Sequence, residues 1–135
     1  MERYPLIILD THVWIWWVNE PVRLPASFTS YLRNPPAAAV GICAISCWEV
    51  AKLVERGRLQ LSMPVGEWLG LALSLPGVRL LPLSPEIAVQ STQLPGAFHK
   101  DPADQIIVAT ARVHRCPLAT LDTAILAYPN VDLLG

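Results

Sequence analysis

The segment HKDPADQIIVATA, residues 99–111, restricts the fold more than any other part of this chain. Asp101 stands where a helix N-cap is expected, Pro102 suits the first helical position, and Asp104 follows within the first turn. Apolar residues then recur at helical spacing, which predicts a buried helix body. The segment therefore predicts a helix that packs against a core and carries two acidic side chains at its positive end.

Short apolar runs alternate with helical patterns along the rest of the chain. Strands are predicted at residues 6–9, 37–44, 78–83 and 116–121, with a further edge strand considered at 130–133. Helices are predicted at residues 11–18, 25–33, 47–56, 64–75, 84–93, 102–114 and 123–127. Because the strands are apolar throughout and alternate with helices, we expect an α/β fold with a mainly parallel sheet. A length of 135 residues suits one domain over 1–135.

The composition excludes some classes of protein and favours others. The net charge of -1 gives no overall basic surface, so binding to RNA would depend on local Arg, Lys and metal ions. No apolar run approaches the roughly 20 residues of a membrane span, and no signal peptide pattern is present, so a cytoplasmic location is expected. A hydrophobic content of 53% predicts an exposed apolar patch that a partner or a second copy covers.

Cysteines and tryptophans are assigned to packing. The three cysteines lack the spacing of a zinc site and are expected to be buried free thiols (Cys43, Cys47, Cys116). The three tryptophans of the first helix are expected in the core or an interface, with stacking on a nucleobase as the alternative (Trp14, Trp16, Trp17).

Four acidic residues are expected at one edge of the sheet. Asp10 ends the first strand and Asp122 ends the fourth, so the two carboxylates meet if these strands are neighbours. The helix that begins near Pro102 opens at the same edge and brings Asp104 there. Glu49 lies on the helix that follows the second strand.

Carboxylates without matching Lys or Arg repel one another, and a divalent cation relieves that repulsion. Oxygen ligands without Cys or His favour Mg²⁺ or Mn²⁺, which predicts metal-assisted hydrolysis of a phosphodiester. Nearby hydroxyls are candidates for orienting the carboxylates (Thr11, Ser46, Thr120). Basic side chains that could contact RNA phosphates, or form a solvated face instead, are Arg56, Arg58, His99 and Lys100.

Each acid also has a structural interpretation. Asp10, Asp101 and Asp122 all stand at the start of a predicted helix and could act as N-caps. Capping is the favoured role for Asp101. Glu49 is the least easily explained in this way, because it lies inside a helix.

Four motifs occur in order across nearly the whole chain: LDTH at 9–12, ISCWEVA at 45–51 with GRL at 57–59, HKDPAD at 99–104 followed by IVATA, and LATLD at 118–122. In these motifs the chain resembles the PIN-domain family, and within it the VapC-type toxin ribonucleases of type II toxin–antitoxin systems. The resemblance implies a three-layer α/β/α sandwich, Mg²⁺ or Mn²⁺, and endonucleolytic cleavage of RNA.

Matched motif by motif, the resemblance implies a catalytic and metal-binding quartet of Asp10, Glu49, Asp104 and Asp122, with Asp101 as an accessory residue. It also implies a homodimer and a small antitoxin whose Arg or Lys reaches the carboxylates. The family often has an additional apolar residue before Lys52, so no phosphate contact is assigned to that lysine.

Three other functions remain open on the sequence alone. A PIN nuclease of RNA processing would share all four motifs without being toxic. A PIN fold without catalysis could serve as a binding module, although the four acids argue against it. A receiver-like signalling domain needs a second acid after the first strand, where this chain has Thr11 and His12, and a lysine after the last strand, which is lacking.

Overall fold

A computed structural model of the chain describes residues 6–33, 35 and 39–135. Its four strands, β1 (Ile7–Leu9), β2 (Val40–Cys43), β3 (Val78–Leu81) and β4 (Leu118–Ala119), form one sheet in the order β3-β2-β1-β4. All three pairings are parallel, and Ile8 is in register with both Gly41 and Leu118. The predicted parallel sheet is therefore confirmed, and the first and fourth strands are neighbours.

In the described part of the chain, seven α-helices connect and follow the strands: α1 (Thr11–Asn19), α2 (Ala26–Leu32), α3 (Ala44–Glu55), α4 (Val65–Leu73), α5 (Pro85–Ser91), α6 (Pro102–His114) and α7 (Thr123–Leu126). A 3₁₀ turn spans Pro21–Arg23. None of the described helices is long and apolar enough to cross a bilayer.

Strand β3 and helices α4 and α5 each end two residues earlier than the sequence predicts, and three other elements differ more clearly. Helix α3 begins at Ala44 rather than at residue 47, because β2 passes into the helix without a loop. Strand β4 has two residues, since Pro117 has no N–H to donate and the chain turns after Ala119. The segment 130–133 contributes one isolated bridge, between Leu133 and Leu118, instead of a strand. Residues 37 and 38 of the predicted second strand lie outside the described part.

The sheet separates two apolar clusters, because alternate residues of a strand point to opposite faces. Ile7 and Leu9 pack with residues of α1 to α4, whereas Ile8 packs with residues of α6 and α7. The predicted α/β/α sandwich is therefore confirmed. Trp14 is fully buried in the first cluster, with its ring centroid 5.1 Å from that of Trp68.

The remaining packing assignments also agree with the structure. Trp16 and Trp17 are half-buried against the first cluster. All three cysteines are free thiols, and Cys43 and Cys116 are buried while Cys47 is half-buried.

Candidate metal centre

Asp10 lies at the point where the strand order of the sheet reverses. It follows β1 directly, and its backbone N–H donates to Ala119 O of β4 at 2.9 Å. The side chain is only 6% exposed. In open α/β sheets, ligands bind in the crevice at such a reversal, beyond the carboxyl ends of the strands.

Both carboxylate oxygens of Asp10 accept hydrogen bonds. Oδ1 accepts from Thr11 N at 2.8 Å, and Oδ2 accepts from the buried Thr120 hydroxyl at 2.7 Å. Thr120 Oγ1 in turn accepts from Asp122 N at 3.0 Å. The Thr120 hydroxyl therefore links the carboxylate of Asp10 to the backbone of Asp122 and fixes their relative position.

Glu49 is held by α1. The Thr11 hydroxyl contacts the Ser46 hydroxyl at 2.8 Å and donates a short hydrogen bond to Glu49 Oε1. Ser46 is fully buried one turn before Glu49 on α3. All three hydroxyls selected from the sequence thus lie in the network that orients Asp10 and Glu49.

Three of the acids cap helices, as their structural interpretation predicted: Asp10 caps α1, Asp101 caps α6 and Asp122 caps α7. Asp101 Oδ1 accepts from the backbone N–H groups of Ala103 and Asp104, at 2.9 and 3.3 Å. Asp122 Oδ1 accepts from two N–H groups of α7, at 2.9 and 3.1 Å. Asp101 and Asp122 each use only Oδ1 for the cap, so the second oxygen of each carboxylate can accept another ligand.

The acids influence one another strongly. Burial, and after it charge repulsion from Asp10, Asp101, Asp122 and Glu49, together raise the pKa of Asp104 to about 7. Its side chain is 14% exposed in the first turn of α6. The structure thus brings the four acids of the predicted quartet, together with Asp101, within electrostatic reach of one another.

Burial also raises the pKa of Asp10 and of Glu49. The hydrogen bonds from Thr120 and Thr11 oppose the shift at Asp10, and the bond from Thr11 opposes it at Glu49. Proximity of Asp122 adds to the rise at Asp10. These carboxylates are therefore held in a place that disfavours their charged form.

His99 joins this group, although the sequence suggested only a phosphate contact for it. Its Nε2 lies 3.0 Å from Asp104 Oδ2, and ligand atoms of His99, Asp104 and Asp122 lie within 4.8 Å of one another. Gln105 Nε2 donates to His99 O at 3.1 Å and holds the loop before α6. The sequence predicted oxygen ligands alone at this site, and the structure places a histidine ring beside them because the loop folds back over the first turn of α6.

A divalent cation fits the chemistry of these donors. Among the described residues the Lys and Arg ion pairs within 4.0 Å are Arg23 with Glu20 and Lys52 with Glu55. No Lys or Arg of that part of the chain therefore pairs with the clustered acids. Buried carboxylates whose repulsion is not offset by Lys or Arg are the ligands that hard cations prefer.

A groove of about 630 Å³ leads away from the acids along α3. Glu49 and Asp101 line it near the cluster, and Lys52, Arg56 and Arg58 line it further along. By the helix rise, Arg56 lies about 10 Å from Glu49 along the axis of α3. Two of the four predicted phosphate contacts thus line the groove, whereas Lys100 is exposed beside Asp101.

The model of the PIN domain family matches residues 7–131. Ribonuclease VapC22 of Mycobacterium tuberculosis is 38% identical over 116 residues, which is 86% of each chain. The crystal structure of VapBC2 from Rickettsia felis, bound to a DNA fragment from its promoter, has a TM-score of 0.68 at 18% identity, over 95% of this chain and 96% of that one. For FitAcB of Neisseria gonorrhoeae the TM-score is 0.65 at 25% identity, over 96% and 97%. With this fold, this acidic crevice and these similarities, the chain belongs to the PIN domain family.

Proposed function

We propose that this chain is a VapC-type toxin, an endoribonuclease that depends on a divalent cation. The observation that carries the proposal is the convergence of Asp10, Glu49, Asp104 and Asp122 at the reversal of strand order, without a paired Lys or Arg among the described residues. The similarity to a named ribonuclease over most of the chain supports RNA as the substrate.

Asp10, Glu49, Asp104 and Asp122 would hold Mg²⁺ or Mn²⁺, with His99 and Asp101 beside them. When bound, such a cation lowers the pKa of a water molecule and neutralises charge on a phosphate. The side chains around the site contribute by orienting the carboxylates. Thr120 and Thr11 hold the carboxylates of Asp10 and Glu49, so little reorganisation is needed when a ligand arrives.

The start of α6 contributes in two ways. The Asp101 cap fixes the first turn and so positions Asp104 at the mouth of the crevice. The positive end of this 13-residue helix also points toward the site, which favours a substrate phosphate there. Arg56 and Arg58 extend the positive charge along the groove.

The proposed partners are a cognate antitoxin and a second copy of the chain, in the cytoplasm. A toxin–antitoxin complex from Klebsiella pneumoniae has a similar structure, with a TM-score of 0.63 at 22% identity over 91% of this chain and 92% of that one. Exposed apolar side chains such as Val22, Leu71 and Val89 supply surface that partners could cover.

Cleavage of RNA by the purified chain, with and without chelator, tests this proposal. We expect discrete cuts in Mg²⁺ or Mn²⁺, none in excess EDTA, and recovery when the cation is restored. Cleavage that persists in EDTA would contradict the metal mechanism. Growth arrest on induced expression, with the same cuts in cellular RNA, distinguishes a toxin from a PIN nuclease of RNA processing.

Thr120→Val is expected to weaken cleavage about 10- to 100-fold without unfolding the protein, the range typical for the loss of a partner that orients a metal ligand. Valine keeps the shape of threonine but cannot donate to Asp10 Oδ2 or accept from Asp122 N. Cation titrations and cleavage rates measure the effect. Thr92→Val, which removes an exposed hydroxyl on another helix, is the matched control.

Cation binding is expected to strengthen as the pH rises from 6 to 8. The pKa of Asp104 is raised to about 7, so the carboxyl holds a proton below that pH and must release it to act as a ligand. Titration of Mn²⁺ binding at several pH values measures this. An affinity that is the same at pH 6 and pH 8 would remove Asp104 from the ligand set.

A further inference from the structure

Trp48 is an exposed aromatic side chain next to a proposed catalytic acid. It is 53% exposed, although tryptophan is usually well buried, and it lines the groove beside Glu49. Lys52 Nζ lies 5.9 Å from its ring centroid. The core therefore does not account for the presence of a large aromatic ring at this position.

Helix α3 has two faces with different environments. Ser46 and Val50 are fully buried against the sheet. The groove-lining residues recur three and four positions apart, which places them on another face of the helix. They are Ile45, Trp48, Glu49, Lys52, Leu53 and Arg56. This second face combines an aromatic ring with positive charge and begins at the acidic cluster.

The same combination continues around α1. A second groove, of about 260 Å³, shares His12, Leu53 and Arg58 with the first. In it, the guanidinium carbon of Arg23 lies 4.3 Å from the ring centroid of Trp16. Of the nine Lys and Arg residues that the structure describes, four line the two grooves: Arg23, Lys52, Arg56 and Arg58. Arg23 and Lys52 pair with Glu20 and Glu55, so among the described residues Arg56 and Arg58 carry the unpaired positive charge of this path.

Aromatic rings alternating with cations along a groove match single-stranded nucleic acid, whose bases stack on the rings while its phosphates contact the cations. An apolar protein segment would match Trp48 and Leu53. It would leave Arg56 and Arg58 without counter-charges, because neither forms an ion pair within 4.0 Å among the described residues. The bases of a duplex are already stacked on each other and cannot present a free face. Charge and shape therefore favour an unpaired RNA strand as the occupant.

We infer that Trp48 stacks on an unpaired base of the RNA next to the phosphate held at the carboxylates, and that Lys52, Arg56 and Arg58 bind the phosphates that follow. This inference rests on the proposed function and adds to it the side chain that selects a single-stranded substrate. Trp48 is then a specificity-determining residue, while the acids perform the chemistry.

Binding of labelled RNA to the full chain tests the inference. The probes are fluorescein-labelled oligoadenylate and oligouridylate of eight nucleotides and a blunt RNA duplex, measured by fluorescence anisotropy in Mg²⁺ on an Asp10→Asn background that suppresses cleavage. We expect Trp48→Leu to raise the Kd for oligoadenylate about tenfold, as loss of one base stack does, and Trp48→Phe to raise it much less. Affinity for the duplex stays unchanged.

Two further comparisons make the test specific. Because purines stack more extensively than pyrimidines, the preference for oligoadenylate over oligouridylate falls in Trp48→Leu. Replacing Arg56 and Arg58 together with Gln instead weakens both oligonucleotides equally and lowers the salt slope by about 1.4. Leu71→Ala and Arg33→Gln, exposed side chains outside both grooves, are the matched controls and leave binding unchanged.

The possible failures are distinguishable. If Trp48→Leu binds oligoadenylate as tightly as its parent while the unmutated chain cleaves RNA, the inference is wrong and the proposed function stands. If Trp48→Leu weakens only the complex with the antitoxin, the groove is a protein site and the inference is overturned. If the unmutated chain in Mg²⁺ neither binds nor cleaves single-stranded RNA, the proposed function itself fails.

Discussion

We expect the substitution Asp10→Asn to lower the rate of RNA cleavage by at least about 10³-fold while the protein remains folded. The substitution removes one negative charge from the crevice and keeps the size of the side chain. An Asn side chain can still accept from Thr11 N or from the Thr120 hydroxyl, so the turn after β1 survives. Loss of the cation removes several kcal/mol of transition-state stabilisation, and about 1.4 kcal/mol corresponds to a tenfold change in rate.

Initial rates on one RNA, together with circular dichroism, measure this effect. Asp132→Asn is the matched control, because Asp132 is an exposed acid away from the cluster. An Asp10→Asn protein that is folded and retains most of its activity would rule out Asp10 as a metal ligand. An unfolded variant would instead show that Asp10 acts mainly as the cap of α1.

Asp104→Asn has opposite effects on activity and on stability. Cleavage falls by an amount similar to that for Asp10→Asn, because a ligand is lost. In metal-free protein at pH 8, however, the free energy of unfolding rises by about 1–3 kcal/mol, after allowance for solvent screening, since one charge leaves a repelling cluster. For a chain of this size the expected increase in Tm is about 3–10 °C.

The pH dependence of stability gives an independent prediction of whether the Asp104 charge destabilises the metal-free fold. Folding raises the pKa of Asp104 from its usual 3.8 to about 7, so the folded protein binds a proton that the unfolded chain has released between these values. The stability that unmutated, metal-free protein gains at low pH is therefore lost as the pH rises from about 4 to about 7. Asp104→Asn flattens this dependence, although Asp10 and Glu49 have shifts in the same direction.

Thermal unfolding at pH 5 and pH 8, in EDTA and in Mg²⁺, checks both effects. Magnesium should raise the Tm of the unmutated chain at pH 8 and should raise that of Asp104→Asn much less. A lower Tm for the metal-free variant at pH 8 would show that Asp104 stabilises the fold, and the charge-repulsion argument would fail.

Local sequence signals were sufficient for much of this architecture. The all-apolar run before Asp10 predicted a strand buried on both faces, and the order Asp101-Pro102 predicted the start of α6 at Pro102. Parallel topology then required Asp10 and Asp122 to share one edge of the sheet. The two carboxylates could lie close together only if β1 and β4 were neighbouring strands, and the structure confirms this pairing. The metal-binding role of the quartet stays a prediction.

Other features depend on contacts between segments that are distant in the sequence. His99 lies in a loop, and no periodic pattern indicated that its ring returns to Asp104. The buried pair of hydroxyls at Thr11 and Ser46 joins residues that are 35 positions apart. The exposure of Trp48 likewise depends on how α3 packs against the sheet, and the sequence analysis made no prediction for it.

The Thr120 hydroxyl joins residue 120 to residue 10, across 110 positions of sequence. Most contacts of a growing chain form between neighbours, whereas this one needs β4 to be synthesised and to dock beside β1. Asp10, Glu49 and Asp104 all leave the ribosome before Asp122 does. On the proposed mechanism all four side chains are needed, so cleavage of RNA cannot begin until that last pairing is made. Synthesis and docking of β4 therefore set the earliest time at which the proposed activity can appear.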